Sequence, residues 1–151
     1  IVSIEIPSSI TKLKNGWCCY MPKLTEINVS PENQYFISYE NKYIFGKISK
    51  EQLNFSNLVL CARNVNDVIV PNFIKHICSY SFQNCKINRI EFPNDSKLML
   101  IDDLSFFSSS IRRIRIPKNV LKIGKIIQKF PKLMIMHFCH LQLIASLFLQ
   151  M

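Results

Sequence analysis

The chain has 151 residues, a length that suits one domain with a substantial buried core. Hydrophobic residues make up 48% of it and only three residues are glycine, so a disordered, collagen-like or linker composition is excluded. The net charge is +9, and from Leu104 onward there are eight basic residues and no acidic one, which favours an anionic partner for that part of the chain.

Six segments share a pattern with apolar residues at the first, fourth and sixth positions. They begin at residues 1, 24, 65, 87, 111 and 133, so the pattern recurs about every 23 residues apart from one longer gap. The fourth and sixth positions face the same side of a strand, towards a core, while the residue between them faces outward. Because one repeat cannot bury its own apolar edge, the recurrence predicts a solenoid of stacked repeats with one short parallel strand each.

The residues after each strand predict how the chain returns to the next repeat. Proline directly follows four strands and ends them, because it has no N–H to continue a ladder. These prolines are Pro7, Pro71, Pro93 and Pro117. Two apolar residues come next at a spacing of three, and two repeats then carry an aromatic residue, Phe82 and Phe106. We expect each phenylalanine to lie on a short helical turn, followed by a small residue, Cys85 or Ser109, that satisfies the backbone there.

Residues 30–64 interrupt the repeats as an insertion. Within it, residues 35–37 and 43–45 are aromatic or aliphatic and flank the turn-prone residues 40–42. This arrangement predicts a β-hairpin that stands off the solenoid.

We interpret residues 1–138 as the solenoid and residues 139–151 as an apolar tail. The stretch 133–151 carries no charge and is close to the shortest length that spans a bilayer. However, a solenoid needs its last repeat covered, so we expect the tail to be a cap rather than a membrane span. The chain opens at Ile1 inside a repeat, so we expect a piece of a longer array whose uncovered strand at residues 1–6 would self-associate.

One repeat carries a recognisable motif. It reads Val68-x-Val70-Pro71-x-x-Ile74-x-x-Ile77-x-x-x-x-Phe82-x-x-Cys85. This motif resembles the repeat of the BspA-like leucine-rich repeat surface antigens, and residues 30–64 resemble the hairpin-bearing variant repeat of that family. The resemblance implies an α/β leucine-rich-repeat solenoid, a surface or secreted setting, and adhesion or host-protein binding. Cys18 and Gln128 stand where the family pattern has phenylalanine in the first and fifth copies.

Two sets of residues are candidates for binding. The outward strand positions form a strand face, the surface that solenoids commonly use to bind partners. They are Glu5, Glu26, Asn28, Asp67, Ile69, Arg89, Glu91, Arg113 and Arg115. The second set is a basic patch in the last third of the chain, which consists of Arg112, Arg113, Arg115, Lys118, Lys122, Lys125, Lys129 and Lys132.

The sequence offers no residues arranged for catalysis. Its six cysteines include no C-x-x-C pair, and there is no nucleophile motif or phosphate-cradling glycine loop. We therefore expect no catalytic residue, no metal and no cofactor, and cysteines that are mostly buried thiols.

These observations favour a non-enzymatic recognition module, at the cell surface or secreted, that binds a protein or a glycan through its strand face. One alternative is a cytoplasmic protein–protein interaction scaffold of the same architecture. Another is an anion-binding module for nucleic acid or acidic glycan that uses residues 112–132. Cysteine spacing leaves the compartment open.

Overall fold

The computed structural model describes residues 1–47 and 49–125, together with the backbone of one further strand at residues 134–137. The strands are β1 (Ser3–Ile6), β2 (Glu26–Val29), β3 (Phe36–Tyr39), β4 (Tyr43–Gly46), β5 (Asn57–Cys61), β6 (Asp67–Ile69), β7 (His76–Ile77), β8 (Arg89–Glu91), β9 (Leu100–Ile101), β10 (Arg113–Ile116), β11 (Lys122–Ile123) and β12 (Met134–His137). They lie on two sides of a solenoid, the strand face and a return side.

The strand face consists of parallel strands from successive repeats, as the sequence predicts. β1 pairs with β2, β6 with β8, and β10 with β12, each in parallel. The first two pairs lie over matching repeat positions, but in the third Ile114 pairs with Ile135 rather than with the predicted Met136, a shift of one residue. The expected alternation is present: Val68 and Ile114 are 1% exposed, whereas their neighbours Asp67 and Arg113 are exposed. The fold is therefore a leucine-rich-repeat solenoid, built by apolar side chains that recur in register.

The return side corrects one expectation, because the described residues form no helix there. Backbone φ is positive at Tyr80 and Asn84, and again at Leu104 and Ser108 in the next repeat. Left-handed residues at both ends of such a short segment limit it to isolated turns, such as the one that the N–H of Cys85 closes by donating to the carbonyl of Phe82 at 3.2 Å. Other backbone groups of the segment bond to the adjacent repeat, since the N–H of Asn84 donates to the carbonyl of Phe107 at 3.1 Å.

The return side also carries a second sheet that the sequence did not predict. Its strand order is β11-β9-β7-β5-β4-β3, in which β11, β9, β7 and β5 are parallel neighbours. The strands that come from the repeats are only two residues long, as at His76–Ile77. Such short runs have no period that could have distinguished them from a loop in the sequence.

The insertion forms an antiparallel hairpin, β3 with β4, but this hairpin does not stand off the solenoid. β4 also pairs antiparallel with β5, and β5 pairs with β7, so the hairpin extends the return-side sheet. The reason is burial: all four residues of β4 are buried, with Ile44 at 0% and Phe45 at 1% exposure. A strand that is apolar on both faces must lie inside a sheet that is covered on both sides.

A buried asparagine fixes the start of the insertion. The side-chain amide of Asn33 donates to the carbonyls of Pro7 at 2.8 Å and Ile10 at 3.0 Å. Its carbonyl oxygen accepts from the backbone N–H groups of Tyr35 at 2.9 Å and Phe36 at 2.8 Å. Asn33 thereby joins the loop after β1 to the loop before β3.

The first repeat keeps the core without the phenylalanine of the family pattern, because Cys18 is 2% exposed and belongs to the hydrophobic core. Gln128 and the tail at residues 139–151 lie outside the described residues, so the cap remains a prediction. Among the residues that are described, no helix is long and apolar enough to cross a membrane.

Candidate ligand-binding cleft

A cleft of about 890 Å³ opens on the strand face where the repeats of β8 and β10 meet. β8 and β10 are neighbours, but none of the described backbone ladders joins them. The cleft lies over this unpaired junction. Its volume is within the range of about 300–1,000 Å³ that is typical of ligand sites.

The repeat itself positions the walls of the cleft. Ile90 and Ile114 point into the core, so the alternating pleat turns Arg89, Arg113 and Arg115 outward into the cleft. The prolines that end β8 and β10 then lead into two loops that form the rim. The side-chain amide of Asn119 in one rim loop donates to the carbonyl of Ser96 in the other at 2.9 Å, which ties the loops together.

The charge in the cleft is predominantly positive. Four basic side chains line it, Arg89, Arg113, Arg115 and Lys118, against one acidic side chain, Glu91. Glu91 already forms an ion pair with Arg89 of its own strand. Asp67 on β6 pairs in register with Arg89 on β8, as the repeat spacing predicts. The cleft therefore offers a cluster of cations to which an anionic ligand could bind.

The predicted strand-face residues fall into two groups rather than one surface. Glu5 and Asn28 are aligned on β1 and β2, and Glu26 lies on the same strand as Asn28. The next backbone partner beyond β2 is the tip of the hairpin, where the N–H of Ile27 donates to the carbonyl of Asn41 at 2.9 Å. The insertion thus separates an acidic group near the N-terminus from the basic group around the cleft.

The predicted basic patch is also divided. Arg113, Arg115 and Lys118 line the cleft, and Arg112 is exposed directly before β10. Lys122 lies on β11 and Lys125 follows it, so both belong to the return side. Lys129 and Lys132 lie outside the described residues. Charge that is continuous in sequence is therefore distributed over two sides of the solenoid.

Sequence reasoning missed the rim residues of the cleft. Asn94, Asn119 and the half-buried Phe92 line it, and they offer amides and a ring edge beside the guanidinium groups. A signal was available: the two asparagines follow the strand-ending prolines Pro93 and Pro117 within two residues. Loops at the same offset in adjacent repeats come together when repeats stack.

One grouping on the return side has the residue types of a catalytic site but not its properties. His76 Nε2 lies 2.9 Å from Asp102 Oδ2, and Cys78 follows His76 by two residues. Burial, with a smaller effect from the charge of Asp102, raises the pKa of the Cys78 thiol to about 12. The sulfur is therefore protonated at neutral pH and is not an activated nucleophile. Over residues 1–47 and 49–125, no three ligating side chains come together as a metal site.

Comparison with known proteins agrees with this architecture. The fold and the strand-face cleft define a leucine-rich-repeat protein, the class whose stacked repeats bind partners on an extended surface. The family model described as "BspA type Leucine rich repeat region" matches residues 55–139 in six copies, so the chain belongs to this family.

One solved structure and the curated proteins give two further results. The chain is similar to a leucine-rich repeat protein from Eubacterium ventriosum, with 24% identity and a TM-score of 0.70. The match covers 82% of this chain and 32% of the other, so this chain spans about a third of that protein, and the likeness shows the fold alone. No curated protein matches the chain.

Proposed function

We propose that this protein is a non-enzymatic recognition module that binds an acidic ligand, carried by a protein or a glycan, in the strand-face cleft. The observation that carries the proposal is the lining of the cleft: four cations face it, and its single carboxylate is already paired with one of them. The family resemblance adds a cell-surface or secreted setting to the proposal.

The chemistry of the lining supports an anionic ligand. A guanidinium group binds carboxylate or sulfate through two parallel hydrogen bonds, which gives orientation as well as attraction. The amides of Asn94 and Asn119 supply neutral donors and acceptors at the rim. Charge-assisted hydrogen bonds contribute about 1.5–3 kcal/mol each, so the loss of two cations is expected to weaken binding by tenfold or more.

The experiment compares two double variants of the full chain that remove equal charge. Arg113→Gln with Lys118→Gln removes two positive charges from the cleft, and Lys122→Gln with Lys125→Gln removes two from the return side. Heparin, a poly-glutamate peptide and a short oligonucleotide are the probes, and dissociation constants are measured by titration calorimetry at two salt concentrations. We expect the cleft variant to lose at least about tenfold in affinity and the return-side variant to lose less than about threefold.

Each outcome of this experiment distinguishes between hypotheses. Equal losses in the two variants would mean that net charge, rather than the cleft, attracts the probes. Binding of the oligonucleotide alone would favour the nucleic-acid alternative, and its affinity should then fall steeply with salt. No binding of any probe would contradict the proposal.

A cytoplasmic protein–protein interaction scaffold is the second candidate, and one observation favours it. The five cysteines within the described residues are all free, and three of them, Cys18, Cys61 and Cys85, are buried. Free thiols persist in reducing compartments, whereas exported proteins usually oxidise theirs. Labelling of intact cells with a membrane-impermeant reagent for surface amines would separate the two settings.

A further inference from the structure

Arg63 is a buried cation at the point where the insertion rejoins the repeats. It follows β5 by two residues and is 3% exposed. Its Nη1 donates to the carbonyl of Cys61 at 3.2 Å, and its Nη2 lies 3.2 Å from the sulfur of Cys18. Nη1 also lies 3.7 Å from the sulfur of Cys85, and the buried Nε has no hydrogen-bond partner.

A buried guanidinium without an anion is strongly unfavourable, so its surroundings matter. No ion pair within the described part of the chain includes Arg63. The groups that contact it and can carry a negative charge are the thiols of Cys18 and Cys85, and both are buried. Cys61, which is also buried, contacts the guanidinium through its backbone carbonyl. A thiol becomes an anion by losing one proton, and a nearby cation favours that loss.

We propose that Arg63 and this three-thiol cluster (Cys18, Cys61 and Cys85) form a buried guanidinium–thiolate pair that locks the insertion to the repeats on either side. The lock connects three parts of the chain: Cys18 belongs to the first repeat, Cys61 ends β5, and Cys85 belongs to the repeat that precedes β8. It holds only while the thiols are reduced, which makes it sensitive to redox conditions.

The sulfur that best carries the charge is Cys85. Burial acts to raise the pKa of its thiol, but the hydrogen bond from Cys61 and the charge of Arg63 outweigh burial and hold that pKa below its usual value. Burial raises the pKa of Cys18 and, still further, that of Cys61. Cys61, whose pKa is raised furthest, therefore keeps its proton.

A rival arrangement is available to the same atoms. A protonated Cys85 would donate to the carbonyls of Cys61 or Ala62, each 3.6 Å from its sulfur. Arg63 would then contact only neutral groups, the carbonyl of Cys61 and uncharged thiols. The two arrangements differ by one proton on the folded chain, so spectroscopy separates them.

Reaction with a low-molecular-weight disulfide follows from the proposal. When the junction opens, the Cys85 thiolate attacks one sulfur of the disulfide and forms a new S–S bond to it. The original S–S bond breaks, and the other sulfur leaves with the electron pair as a thiolate. Arg63 then has no anion, and the modified side chain no longer fits its buried position.

The first test is the ultraviolet absorbance of thiolate in the folded chain at neutral pH, measured against the same chain in denaturant. We expect a signal of about one thiolate per folded chain, lost in Cys85→Ser and retained in Cys19→Ser, the matched control at a half-buried cysteine. Serine suits the site, because Ser109 occupies the corresponding position one repeat later. Folded wild type without thiolate absorbance between pH 6 and 8 would overturn the proposal.

The second test uses stability in urea and does not depend on the spectrum. Cys85→Ser alone leaves Arg63 without its anion, whereas Arg63→Met with Cys85→Ser removes both charges. We expect the double variant to unfold at a higher urea concentration than Cys85→Ser, because it no longer buries an unpaired charge. If the loss of stability in the double variant equalled the sum of the losses in Cys85→Ser and Arg63→Met, the pair would be contradicted. Glutathione disulfide should lower the midpoint of wild type by more than that of the double variant, because both chains share the other five cysteines.

Discussion

The rings of Phe82 and Phe106 lie face to face in consecutive repeats, with centroids 5.1 Å apart and planes inclined by only 3°. Both side chains are 0% exposed. Equivalent residues meet in this way because each repeat places its phenylalanine at the same position, so that stacking the repeats also stacks the rings. The pair is the clearest sign that the core is a column of equivalent side chains rather than an irregular interior.

Phe106→Ala should therefore be strongly destabilising. The substitution leaves a cavity against Phe82, and we expect the free energy of unfolding to fall by about 3–5 kcal/mol, measured by urea denaturation. Phe73→Ala is the matched control, because Phe73 is 42% exposed. An equal loss in the two variants would mean that the stacked column is not a main source of stability.

Asn33→Ala should cost about 3 kcal/mol, although it removes very little apolar surface. The substitution removes the partners of two backbone carbonyls and two backbone N–H groups at a site that is 5% exposed. Asn119→Ala is the control, since its amide donates to the carbonyl of Ser96 at 2.9 Å from an exposed position. Thermal unfolding of the two variants checks this, and similar losses would show that water replaces the bonds of Asn33.

Two glycines should differ in their response to alanine. A Cβ at Gly124 would collide with the backbone and side chain of Asp103, whereas a Cβ at Gly46 would meet the Cγ2 of the Val59 side chain at 2.9 Å. A side chain can rotate away, but a packed backbone must shift. Gly124→Ala should lower the free energy of unfolding by about 1–3 kcal/mol and Gly46→Ala by less. The reverse order would contradict the close approach of Gly124 to Asp103.

Cys78 should make the chain less stable at alkaline pH. Burial, together with Asp102, raises the pKa of its thiol from 9.0 to about 12 in the folded chain. Between these values the unfolded chain loses the proton and the folded chain keeps it, so rising pH favours unfolding, by at most about 1.4 kcal/mol per pH unit. Denaturation at several pH values should show a shallower decline in Cys78→Ala than in wild type. Parallel declines would contradict the raised pKa.

Much of the candidate site could be predicted from the strand pattern. Arg89, Glu91, Arg113 and Arg115 all lie at the cleft because strand alternation dictates which side chains face outward. The asparagine rim could not be read from the same pattern, because it depends on two loops meeting after their strands have ended. The strand pattern also did not predict that the basic residues lie on two sides of the solenoid. Lys118 and Lys122 are only four residues apart, but the chain passes from the strand face to the return side between them.

The sequence by itself determined the repeat, the residues that face the core, and the parallel stacking of the strand face, because a recurring apolar spacing can be buried in only a few ways. Only the tertiary structure decided how the return side is built. Local spacing predicted helical turns there and a hairpin that stands apart. Backbone groups bond to the neighbouring repeat instead, and the buried strand β4 enters the sheet, because each repeat provides the partner that an isolated segment lacks.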